Sequence, residues 1–429
     1  MIRFVFAVAF AVVAAATPAL AAGDTPPVSR GEYLARAGDC VACHSAPGGQ
    51  AFAGGLRMAT PLGVITTTNI TPDAETGIGE YSLEDFERAM RRGIAKDGHH
   101  LYPAMPYPSY AKLTDADIAA LYAYFMREVA PVHQANAPSE MPRLLRQRWP
   151  LSIWNALFAP QAGFTPDPTK DASWNRGAYL VEGPGHCGAC HTARGWAWQE
   201  KALDWHSAAF LAGANLDDWS ASNLRRNVAT GLGAWSKADI VTFLKTGHNQ
   251  HATAYGSMSD VIGNSTPYLS DEDLGAIASF LVSLPATHDE TAFQYDAASA
   301  QALLAGKAEA PGAKVYSAAC QSCHLATGAG APPFMPKLAG NPTVLDPDPA
   351  SLINVVLNGA APLLAKGRPD AYRMPQLRQQ LNDRQIADVV SFIRGAWGNH
   401  AGAVAVEDVA ALRARTSPSS DRVVLLRMH

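Results

Sequence analysis

The chain of 429 residues contains six cysteines, and all six fall into one pattern written three times: Cys40-Val41-Ala42-Cys43-His44, Cys187-Gly188-Ala189-Cys190-His191 and Cys320-Gln321-Ser322-Cys323-His324. On a helix, positions i and i+3 share a face and i+4 sits beside them. Two thiols so placed can form thioethers to the two vinyl groups of a porphyrin. The imidazole that follows then falls under the iron, as in c-type haem attachment. A zinc site needs two such pairs close together or added histidines at set spacing. Here each pair stands a domain's length from the next. A thioredoxin-like pair leaves the histidine after every second cysteine unexplained. The pattern therefore predicts three covalently bound c-type haems, on Cys40 and Cys43, Cys187 and Cys190, and Cys320 and Cys323, with iron on His44, His191 and His324.

A haem iron held only by a proximal histidine keeps one position open for small molecules, whereas a methionine there makes it an electron carrier of raised potential. Each copy offers such a methionine. Met105 stands between prolines in Pro103-Ala104-Met105-Pro106, far enough beyond His44 for the loop to wrap the opposite haem face. Met258 follows His191, and Met374, before Pro375, follows His324, both at comparable separations. Met335 comes so soon after His324 that it is too near to cross the ring. Met58, Met90 and Met126 read as core filler. His99, His100, His248 and His251 are rival ligands, but a methionine at a matching place in all three copies is the simpler reading.

The surrounding chain repeats with the motifs. Gly31-Glu32-Tyr33-Leu34, Gly177-Ala178-Tyr179-Leu180 and Gly312-Ala313-Lys314-Val315-Tyr316 precede them, each reading as a short helix. Each unit closes on a capped helix after Thr114, Ser270 or Asn382. Asn69-Ile70 with Thr76-Gly77-Ile78-Gly79 in the first unit matches Asn223-Leu224 with Thr230-Gly231-Leu232-Gly233 in the second; the third lacks this turn. A repeat of this kind predicts similar domains in tandem: 28–130, 172–286 and 311–400. A Pro-rich linker, 131–171, with little regular structure, and a second linker, 287–310, join them. Apolar residues of the first linker, such as Trp149 and Trp154, need a surface to cover: a neighbouring unit, a partner or lipid headgroups. The tryptophans of the second unit read as core. In the tail, 401–429, Glu407 to Arg415 could be an amphipathic helix and Val423 to Leu426 a short strand.

The N-terminus, 1–21, reads as a secretory signal: Arg3, an apolar run from Phe4 to Ala16, and Ala19-Leu20-Ala21 for cleavage. This address predicts the periplasm of a Gram-negative bacterium. No later window is long enough to span a bilayer. A net charge of −4 argues against a nucleic-acid partner.

On these motifs, together with Tyr102-Pro103-Ala104-Met105-Pro106-Tyr107 and Gly256-Ser257-Met258, the chain resembles the tri-haem cytochrome c subunits of membrane-associated dehydrogenases, those of alcohol dehydrogenase and gluconate 2-dehydrogenase. The resemblance implies a mostly α fold of three tandem class I cytochrome c domains. It also implies a catalytic dehydrogenase subunit as donor, of quinoprotein, flavoprotein or molybdenum type. Ubiquinone or an oxidase would be the acceptor, and membrane contact peripheral. The residues alone leave two rivals: a multihaem peroxidase-like enzyme with an open iron, and a free periplasmic shuttle.

Overall fold

The computed structural model describes residues 28–416 except 61, 144, 160–162, 217 and 361–372. The signal segment and the strand predicted over Val423 to Leu426 lie outside the described residues.

Helices begin where the sequence supplies caps. In the first unit α1 (Arg30–Ala37) starts on Ser29, whose hydroxyl accepts from the amide of Glu32. The motif helix α2 (Cys40–Cys43) follows. Strands β1 (Arg57–Thr60) and β2 (Gly63–Thr66) form an antiparallel hairpin with Arg57 opposite Thr66. Then come α3 (Leu83–Arg92), in a full capping box between Ser82 and Asp85, α4 (Tyr107–Tyr110), and α5 (Asp115–Arg127) capped by Thr114. The linker carries α6 (Pro150–Phe158).

The second unit repeats the order: α7 (Ala172–Glu182), α8 (Gly188–His191), hairpin β3 (Ala214–Leu216) and β4 (Trp219–Ala221), α9 (Lys237–Thr246), α10 (Met258–Asn264) and α11 (Asp271–Leu281). After α12 (Ala298–Leu304) the third unit runs α13 (Pro311–Ala319), α14 (Gln321–His324), α15 (Pro342–Leu345), α16 (Ala350–Asn358) and α17 (Asp383–Gly395), and α18 (Val406–Arg415) is the last helix among the described residues.

One packing rule recurs. The lead helix of each unit crosses its closing helix: α1 on α5, α7 on α11, α13 on α17. The crossing point is a glycine each time. A methyl group on Gly31, Gly177 or Gly312 would overlap the backbone carbonyl of Ala120, Ala276 or Asp388. The axes therefore meet at backbone distance, which only the residue without a Cβ permits. Around these crossings sit three hydrophobic clusters. One is centred on Leu34, Ile118, Leu121 and Phe125, the next on Leu180, Phe210, Leu274 and Phe280, and the third on Tyr316, Ile353, Val390 and Trp397.

The structure departs from the sequence reading in four places. The hairpins were not foreseen, because strands of three or four residues give too short an alternation to stand out. The first linker holds the nine-residue helix α6, started by Pro150 at its N-terminus. The second linker is not free of the third core: Ala300 and Leu303 of α12 are buried within it. Trp174, Trp219 and Trp235 are core as expected, but Trp196 is 84% exposed and Trp198 47%. The helix expected from Glu407 to Arg415 forms as α18 and buries Val409 and Leu412 against the third cluster.

Replacing Gly177 by Ala is expected to cost about 1–3 kcal/mol through overpacking at the crossing. Gly275→Ala, on α11 with open space around it, is expected to stay within about 1 kcal/mol and on the stabilising side. Urea unfolding of the two variants beside the parent checks the contrast.

Candidate haem sites

Each predicted site begins where its lead helix stops. In the first two units a non-glycine residue turns left-handed just before the first cysteine: Asp39 at φ 46° and His186 at φ 34°. That turn swings the following Cys-x-x-Cys segment away from the lead-helix axis. In the third unit α13 runs through Ala319 and Cys320 itself carries the bend. None of the six cysteines forms a disulfide. Burial, the largest cause, pushes the Cys40 and Cys187 thiols up to about 12 and Cys320 up to about 11.

The three histidines share one arrangement. His44 Nδ1 lies 2.8 Å from the carbonyl oxygen of Thr68, His191 Nδ1 2.7 Å from that of Ser222, and His324 Nδ1 3.1 Å from that of Pro336. A carbonyl only accepts, so the ring proton must sit on Nδ1 and the lone pair on Nε2. Burial, partly opposed by that bond, holds each imidazole below its ordinary pKa, which favours the neutral form. A neutral imidazole held by Nδ1 and free at Nε2 is the form an iron ligand takes. Thiols at i and i+3 with such an imidazole at i+4 fit a covalently held haem.

The predicted methionines are partly buried. Met105 packs against the first cluster and immediately precedes the turn into α4. Met258 is the first residue of α10 rather than part of a loop. Met374 packs against the third cluster, its backbone held in a two-way bridge with Ala360, at 2.9 and 3.1 Å. Three of the four rival histidines have other contacts. His99 pairs with Asp97 at 2.5 Å, His100 lies 3.2 Å from Asn155, and His251 stacks on Trp235 with Asp239 at 3.4 Å. Met90 is core, as expected. Among the described residues no cluster of three or more His, Cys, Asp or Glu side chains could hold a separate metal ion.

Sequence reasoning missed the carbonyl partners, which have no side-chain signature. It also missed Glu200. One of its oxygens, Oε2, is buried without a hydrogen-bond partner, and a methyl group on Gly188, inside the second motif, would strike it. Burial pushes this carboxyl up to about 7, with Arg194 and then Lys112 pulling it back only in part.

The comparisons agree with this chemistry. The family model described as Cytochrome c matches residues 28–127 and 309–397. The chain is 53% identical over 393 residues to the gluconate 2-dehydrogenase cytochrome c subunit of Pantoea cypripedii, covering 90% of this chain and 89% of that protein. It is 48% identical over 403 residues to the cytochrome c subunit of the quinone-type alcohol dehydrogenase of Gluconacetobacter polyoxogenes, covering 92% and 86%. To the fructose dehydrogenase cytochrome subunit of Gluconobacter japonicus it is 38% identical over 416 residues, covering 92% and 85%.

The Glu200 carboxyl keeps its proton in the folded chain over a range where the unfolded chain, at about 4.3, has lost it. Stability therefore falls as pH rises through that window, by on the order of 4 kcal/mol at most, and levels off above the folded value. Glu200→Gln is expected to flatten the fall between about pH 4.5 and about pH 7, read by denaturant unfolding at a series of pH values.

With thiol pairs, neutral imidazoles and close relatives over nine-tenths of its length, the chain belongs to the family of cytochrome c subunits of alcohol and gluconate dehydrogenases.

Proposed function

We propose that the chain is a three-haem electron carrier built of three tandem class I cytochrome c domains. It takes electrons from the catalytic subunit of a dehydrogenase of alcohol or sugar-acid type and passes them towards ubiquinone or the respiratory chain. The observation that carries this reading is the threefold recurrence of a histidine fixed through Nδ1 to a main-chain carbonyl, immediately after a thiol pair.

When bound, each haem supplies one-electron carriage by its iron. The chain's own residues do the rest. Cys40 and Cys43, Cys187 and Cys190, and Cys320 and Cys323 anchor the porphyrins. His44, His191 and His324 each present Nε2 in one orientation. Met105, Met258 and Met374 would be the second protein ligands of the three irons, and a thioether in that role would raise the potential and keep small molecules away from the metal. The relatives named as cytochrome subunits of dehydrogenases support a separate catalytic subunit as donor.

The signal segment supports a periplasmic place, at the outer face of the cytoplasmic membrane. Among the described residues no helix is long and apolar enough to cross a bilayer. A peripheral contact is supported by Trp149, Ile153, Leu157 and Trp196. All four are exposed, and α6 beneath them is held by Asn155 to the Tyr107 hydroxyl at 2.6 Å and by Trp154 to the Ala197 carbonyl at 2.8 Å.

The parent protein, reduced, is expected to leave added carbon monoxide unbound. Met105→Ala, Met258→Ala and Met374→Ala should each open one haem of the three to it, read as one ligand bound per chain in the Soret spectrum. Carbon monoxide binding to the parent would favour an enzyme with an open iron.

A further inference from the structure

The first two units touch through equivalent residues, each serving the other. Tyr33 on α1 donates its hydroxyl to Asp273 on α11 at 2.6 Å and accepts from the amide of Ser270 at 3.1 Å. Tyr179, the corresponding residue on α7, donates to Asp117 on α5 and accepts from the amide of Thr114 at 3.3 Å. Each aspartate is also held by an arginine of its own unit. Arg30 reaches Asp117 at 2.8 Å, and Arg176 reaches Asp273 at 2.7 Å. The two aspartates are buried. One turn further along the lead helices the exchange recurs with different chemistry. Arg36 lies over the ring of Tyr268 at 4.3 Å, and Glu182, its counterpart, pairs with Lys112, the counterpart of Tyr268, at 2.8 Å.

Residue i meeting j while j's equivalent meets i's is the mark of a two-fold contact. The motifs lie at this contact. The helix α2 that carries Cys40 and Cys43 packs against α10, which begins at Met258, and Ser265 just after α10 donates to the carbonyl of Ala37 at 3.2 Å. In return His186, next to Cys187, lies edge-on to Tyr110 of α4, the helix that follows Met105, with ring centres 5.7 Å apart. Its Nε2 is 3.1 Å from the Gly38 carbonyl.

The third unit has none of the exchanged residues. Pro311, Lys314 and Gln385 stand where the first two units have arginine, tyrosine and aspartate. It is attached instead to the hairpin of the second unit, through Ser220 with Ser351 at 2.8 Å and Asp346 at 2.7 Å, and through Asn215 with Asp348 at 2.7 Å.

We propose that the first two units form a pseudo-two-fold pair closed by the exchange of Tyr33 and Tyr179, and that these tyrosines are positioning residues which fix the two haem-attachment turns relative to each other, with the third unit outside the pair. The proposal rests on the haem reading of the motifs. The exchange sets how two attachment turns, and so the groups on them, are disposed for electron passage between them. A separation fixed by buried charge-assisted bonds varies less than one set by a surface contact.

The test uses the full secreted chain with haem attached and reads two things on each sample: haem per chain, and circular dichroism in the Soret region, where two chromophores held close together give a two-signed couplet. The parent is expected to show the couplet. The double variant Tyr33→Phe with Tyr179→Phe should lose most of its amplitude with haem content unchanged, and each single variant part of it. Asp117→Asn, which keeps an oxygen acceptor for Tyr179, should retain more of the couplet than Tyr179→Phe. Asn215→Ala, at the seam to the third unit, should leave it unaltered. Three haems per chain with no couplet in the parent, or a couplet untouched in the double and single variants, would overturn the pairing alone. A parent lacking haem on the first or second motif would overturn the functional reading, and the pairing with it.

Discussion

Two helices can touch at backbone distance only where no Cβ stands between them, and this chain meets that condition once per unit, at Gly31, Gly177 and Gly312. The crossing fixes the angle at which each lead helix delivers its thiol pair. From there the rest is local. A left-handed residue or a bent cysteine turns the chain into the motif, and a carbonyl from a later loop catches the histidine. The closing helix that supplies the other half of the crossing starts just after the loop or short helix that carries the methionine. A single contact thus brings the histidine and the proposed methionine of a unit under the control of one pair of helices.

The same pair of helices also carries the contact between units. Tyr33 and Tyr179 stand just after the crossing glycine, and Asp117 and Asp273 stand in the first turn after the closing cap. Buried carboxylates are costly unless bonded, and each here has an arginine from its own unit and a tyrosine from the other. The third unit carries Lys314 and Gln385 at those places and so does not need a partner for a buried charge. Its place outside the tyrosine exchange follows from these two side chains.

Much of this was legible in the sequence. The motifs, the caps at Thr114, Ser270 and Asn382, and the repeated glycines are all local signals, and local signals survive without knowledge of the fold. The carbonyls that hold the histidines were not legible. They come 24, 31 and 12 residues after their histidines, and a backbone oxygen can belong to any residue type. Nor was the exchange of tyrosines, although Tyr33 and Tyr179 had been matched within the repeat. Sequence shows that two positions are equivalent; only topology shows that they cross. The exposed face of α6 was half legible: its apolar residues were seen to need a covering surface, and the structure shows Trp154 and Phe158 covered by Tyr107 and Trp196 while Trp149, Ile153 and Leu157 are not.

The middle unit is the sharpest point of the account, because the family model matches the first and third regions of the chain while the structure gives His191 the same Nδ1 bond as His44 and His324. Mass spectrometry of proteolytic fragments of the secreted protein reads it directly. The account predicts one porphyrin on each of three peptides, including the one that holds Cys187, Cys190 and His191. A bare Cys187–Cys190 peptide from a chain loaded at its other two motifs would contradict it.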